Sequence, residues 1–237
     1  LTLRAAVIGL GAALLAFGLV PSSGPGGETV RSAALAAPGI LVIQEIFGVN
    51  QVMRALCDNL AGQGYLAMCP DLFWRQQPGI QITDKTEAEW AQALQLFQGF
   101  DQNKGAKDLI ASLAHLRKLP GCNGKAGSVG YCLGGKMAYL MAARSDADCN
   151  VSYYGVAIDA ALGEAGGIKK PLLMHIAAED KYVPKEAQAK IKQALGANGK
   201  VTIHVYEGMD HAFARVGGAH YDAAAAKLAN ERSAAFF

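Results

Sequence analysis

No cluster of basic residues occurs anywhere in this 237-residue sequence, and its acidic residues form no tail. With 22 lysines and arginines against 20 acidic residues the net charge is only +2, which indicates neither a nucleic-acid partner nor a polyanionic function. Cys-x-x-Cys is absent. The five cysteines, at 57, 69, 122, 132 and 149, are scattered, and an odd count fits a disulfide framework poorly. Free thiols favour a reducing, cytoplasmic compartment. No Gly-x-Gly-x-x-Gly follows the first strand-like run, which counts against a dinucleotide site, and the histidines show no metal-ligand spacing. No cofactor and no metal are therefore expected.

The N-terminal apolar run, residues 5–20, is short for a membrane span. Arg4 before it and the Pro, Ser and Gly residues of 21–27 after it resemble a secretory leader, with Ala34-Leu35-Ala36 as a small-residue cleavage site. A true leader would direct the protein to the periplasm or outside the cell.

What is present is apolar material in a regular order. Hydrophobic residues make up 51% and charged residues 18%, enough to build one buried core. Residues 40–43, 65–69, 126–129, 150–154, 172–177 and 201–206 read as strands. Residues 51–62, 83–99, 104–118, 136–144, 184–195 and 221–237 read as helices. Strands alternating with helices imply a mostly parallel sheet covered on both faces. Residues 1–38 stand apart from that pattern, and 39–237 form one α/β unit.

The strongest motif is Gly130-Tyr131-Cys132-Leu133-Gly134-Gly135, between a strand of small residues and a helix. This is the pattern of a nucleophile elbow, in which the tight turn leaves no room beside the nucleophile. Here the nucleophile is a thiol. It needs a base and a group to orient that base, in the order nucleophile, acid, histidine. Asp180 follows the strand ending near 177, and His211 follows the strand ending near 206. Asp210 and Glu179 are neighbouring acids that compete with Asp180, which the strand-loop register favours. His175 and His204 lie in strands, His115 in a helix and His220 near a helix start, where packing accounts for each.

Four blocks carry a resemblance to the dienelactone hydrolase family: Gln44-Glu45-Ile46-Phe47-Gly48-Val49-Asn50, Cys69-Pro70-Asp71-Leu72, the elbow itself, and His211-Ala212-Phe213-Ala214-Arg215. The resemblance implies an α/β-hydrolase fold without a large lid, acting on a small-molecule lactone or ester. It makes Cys132 the nucleophile, His211 the base and then acid, and Asp180 its orienting partner. The amides of Leu133 and Ile46 would form the oxyanion hole. Glu45 would hold the resting thiol and take its proton, and Arg215 would pair with Glu45 or with a substrate carboxylate. Arg215, Trp90, Phe47, Arg75 and Tyr182 are the expected substrate-binding residues.

The departures are equally specific. A second arginine and a tyrosine that grip dienelactone are replaced by Trp90 and Leu94, with Arg75 nearby, and the serine after the histidine is Ala212. A neutral or bulkier substrate is therefore expected, on a monomeric enzyme. A thioesterase or acyl transferase could use the same triad. A non-catalytic ligand-binding α/β protein is the reading from another class.

Overall fold

The computed structural model describes residues 36–237; the leader-like stretch and its cleavage signal lie outside the described residues. Six strands, β1 (Ala37–Ile43), β2 (Leu66–Met68), β3 (Cys122–Tyr131), β4 (Asn150–Tyr153), β5 (Leu172–Ala177) and β6 (Val201–Tyr206), form one sheet in the order β2-β1-β3-β4-β5-β6. Every neighbouring pair is parallel. Parallel strands need crossovers, and the sequence supplies a helix for nearly every one. These are α1 (Gln51–Gly62), α2 (Glu87–Gln98), α3 (Gln102–Leu116), α4 (Leu133–Arg144), α5 (Lys185–Leu195) and α6 (Ala223–Phe236).

Adjacent residues of β4 show how the layers stack, because successive side chains of a strand point to opposite faces. Ser152 Oγ donates to Gly135 O of α4 at 2.8 Å, whereas the Tyr153 hydroxyl meets Ser233 Oγ of α6 at 2.7 Å. Helices thus cover both faces, and strand residues 40–43 and 172–177 are all buried. Continuous apolar strands are what two-sided burial demands.

Local chemistry sets the helix starts. Asn50 Oδ1 accepts from the amides of Val52 and Met53, Asp101 from Asn103 and Lys104, and Asp222 from Ala225. The helix expected from residue 83 begins only at Glu87. Residues 83–86 are instead a cap: Thr86 Oγ1 accepts from Glu89 N at 3.2 Å, and Glu89 reaches back to Thr83 N and Oγ1, each at 2.8 Å. The β1 strand reaches back to Ala37, and residues 159–167 form a 3₁₀ segment that apolar periodicity does not announce.

Between β1 and β3 the order of connection reverses, since β1 leads outward to β2 and the chain then returns past β1 to β3. Open α/β sheets leave a crevice at such a point, beyond the carboxyl ends of the strands. Glu45 and Cys132 stand at the ends of those two strands.

Candidate active site

The elbow is built by contact that only glycine permits. A Cβ on Gly130 would lie 1.9 Å from Gly134 O, and one on Gly134 would lie 2.2 Å from Ile43 O and 2.6 Å from Gln44 O. The start of α4 is therefore pressed against the end of β1. Cys132 between them has φ 58°, a left-handed backbone that costs a non-glycine residue about 1–3 kcal/mol. Its amide is anchored to Tyr153 O at 3.1 Å, and its carbonyl accepts from Lys136 N and Val156 N. Tyr154 (φ 37°) and Ala212 (φ 62°) are likewise left-handed, so three of the four such non-glycine residues among those described cluster here.

Asp180 and His211 meet beside the elbow. His211 Nδ1 lies 2.7 Å from Asp180 Oδ2, and both residues are buried. The other Asp180 oxygen accepts from Tyr182 N at 2.8 Å. Gln188 of α5 pins the Asp180 loop by donating to the carbonyls of Ala177, Ala178 and Val183. The competing acids are occupied elsewhere: Glu179 pairs with Lys185 at the surface, and Asp210 accepts the His211 backbone N–H at 2.6 Å. The imidazole is flanked by the rings of Tyr154 (5.1 Å) and Tyr182 (4.9 Å). Burial works against its positive charge, but Cys132 and then Asp180 outweigh burial and lift His211 to about 10.

Glu45, only 2% exposed, receives Arg215 Nη1 on Oε2 at 3.0 Å, while its Oε1 is buried without a partner. Arg215 Nη2 donates to Asp84 Oδ2 at 2.8 Å. Burial disfavours the guanidinium charge and Glu45 and Asp84 more than restore it. Phe47 lies under that guanidinium, 5.2 Å from its ring centroid, and meets Trp90 edge-on at 5.1 Å. Trp90 Nε1 donates to Asp84 O at 3.1 Å.

Of the residues expected at the site, Cys132, His211, Asp180, Glu45, Arg215, Phe47, Trp90 and Tyr182 thus form one connected group. Arg75 does not join it. Its guanidinium is taken by Asp108 of α3 and stacks over Trp74 at 4.3 Å. Leu94 is 45% exposed.

Two members were not legible in the sequence. Tyr154 has a buried hydroxyl without a partner, held neutral far above its ordinary range by burial and then by Glu45; its signal was the position just past a strand on the same sheet edge. Asp84 sits in a polar stretch and carries no signal.

Cys57, Cys69 and His175 are buried away from this group. The Cys69 thiol is raised by a hydrogen bond with the free Cys57 thiol and by burial, and burial pushes Cys149 to about 11. Burial drives His175 down to about 3, between Tyr206 and Ser233. Among the described residues, no three His, Cys, Asp or Glu side chains are placed to hold a metal ion, and no helix is long and apolar enough to cross a membrane.

A parallel sheet with a strained elbow, an acid and a histidine on successive strand ends is the architecture of an α/β hydrolase. The family model for the dienelactone hydrolase family matches residues 27–237, and the chain belongs to that family. A protein of Azospirillum brasilense named "Putative carboxymethylenebutenolidase" is 58% identical over 205 residues, covering 85% of this chain and 87% of the relative. The carboxymethylenebutenolidase of Pseudomonas putida is 44% identical over 207 residues, covering 87% and 88%. A crystal structure of a "Putative Dienelactone Hydrolase" from Klebsiella pneumoniae superposes with a TM-score of 0.73 at 28% identity, covering 84% and 85%. The chain is accordingly a hydrolase of the dienelactone hydrolase type, acting on ester or lactone bonds.

Proposed function

We propose that the protein opens lactones or carboxylic esters through a Cys132-His211-Asp180 triad and a thioester intermediate. The observation that carries this reading is the buried Asp180–His211 pair beside a thiol held at a left-handed elbow. Leu133 N–H is the first amide of α4 and has no acceptor within the helix. Gly134, the next residue, is in close contact with the carbonyls of Ile43 and Gln44, two residues before Ile46. The amides of Leu133 and Ile46 form the oxyanion hole, and donors of that kind are worth about 3–4 kcal/mol in a transition state.

The unpartnered Oε1 of Glu45 is the acceptor for the proton of the resting thiol. When substrate displaces the thiol, its proton passes to Glu45 and the thiolate faces the protonated His211. Sγ attacks the carbonyl carbon, the ring or ester C–O bond breaks, and His211 gives its proton to the leaving oxygen. A water then loses a proton to His211 and attacks the thioester. The C–S bond breaks, the carboxylic acid departs, and the thiolate recovers its proton from Glu45. The substrate is a small lactone or ester, the class named by the carboxymethylenebutenolidase relatives.

Iodoacetamide should label Cys132 ahead of Cys57, Cys69, Cys122 and Cys149, and Cys132→Ala should lose at least about 10³-fold in kcat/KM. A folded Cys132→Ala enzyme with full turnover would end this reading.

A further inference from the structure

Arg215 is the one guanidinium in the described site, and both of its terminal nitrogens face carboxylates of the protein itself. Side-chain exposure is 10% for Arg215, 2% for Glu45 and 11% for Asp84, so one buried cation stands between two sheltered anions. Lys85 lies 3.6 Å from Asp84 Oδ1 but is 62% exposed, where solvent and salt screen it. Both terminal nitrogens of Arg215 are taken, so an arriving substrate carboxylate would find only the buried Arg215 Nε and Tyr154 hydroxyl unpartnered and would meet the Asp84 carboxylate already seated on the guanidinium.

Asp84 is also held in place. Its carbonyl accepts from Trp90, the Thr83-Thr86-Glu89 network rigidifies its loop, and Lys85 Nζ ties that loop to Gly217 O at 2.6 Å, two residues beyond Arg215. Beside this fixed pair, Trp90 packs edge-on against the buried ring of Phe47.

The geometry points to Asp84 as a specificity-determining residue: an internal carboxylate on Arg215, where a substrate carboxylate would otherwise bind, so that the enzyme selects uncharged lactones and esters over anionic ones. This assignment rests on the hydrolase reading of the same site. Asp84 acts through Arg215 and touches no reacting atom, so it is a positioning residue.

The test is a matched pair of butenolides, one with a free exocyclic carboxymethylene carboxylate and one with that group as its methyl ester, with lactone ring opening followed for both. Wild type should open the methyl ester with kcat/KM about tenfold above that of the anion. In Asp84→Asn the ester-to-anion ratio of kcat/KM should fall by about tenfold, chiefly through a lower KM for the anion. A wild-type preference for the anion would overturn the assignment. So would a folded Asp84→Asn enzyme whose ratio moves less than about twofold. If the variant does not fold, the wild-type preference alone decides. Failure of wild type to open either compound would instead remove the hydrolase reading, and this assignment with it.

Discussion

At the scale of single residues, Cys132 and His211 constrain one another. Burial alone pulls His211 below its ordinary range, and the rise to about 10 depends first on Cys132 and then on Asp180. Replacing Cys132 by alanine should therefore lower the His211 titration midpoint by more than a unit, read by NMR of the imidazole carbons; an unmoved midpoint would mean that the thiol contributes no charge there. The glycines are as constrained as the nucleophile. Gly134→Ala drives a methyl against Ile43 O and Gln44 O, backbone atoms with nowhere to move, and should cost about 3 kcal/mol in urea denaturation along with most activity.

At the scale of elements, the short cap before α2 does more than start a helix, because it carries Asp84. Thr86→Ala removes the acceptor for Glu89 N and should cost about 1 kcal/mol of stability, measured as a shift in the urea midpoint. The same segment shows where sequence reasoning reaches its limit. β1 and β5 were legible because burial on a parallel sheet imposes continuous apolar runs, and the elbow was legible because its glycines answer a local steric demand. Asp84 reaches Arg215 across 131 positions and Glu45 reaches it across 170, and no local pattern encodes such pairings. Arg75 was misleading for the same reason, since Asp108 lies 33 positions away on a helix whose docking the sequence does not state.

At the scale of the whole molecule, two buried histidines set opposite slopes of stability against pH. His175 is lowered to about 3, so below about pH 6.5 the unfolded chain takes up a proton that the native state refuses, and stability falls with pH towards about 3. His211 is raised to about 10, so its contribution is complete below about pH 6.5 and is lost as pH rises through about 10. Stability should therefore be greatest near pH 6.5 and fall on both sides, through His175 on the acid side and His211 on the alkaline side. Urea midpoints across pH 4–10 measure both limbs. Cys132→Ala should flatten the alkaline limb and leave the acid one; a change in neither would refute the assignment of the slope to His211.

The order of segments around the sheet has a consequence in time. Glu45 and Cys132 come from strands made early, whereas His211 and Arg215 lie in the last loop before α6. A nascent chain thus exposes its thiol about 80 residues before its imidazole is made, an interval of roughly 4–16 s at ordinary translation rates. Until the loop that carries His211 leaves the ribosome, the proposed triad lacks its base, and a product truncated before that loop should show no preferential labelling of Cys132 by iodoacetamide.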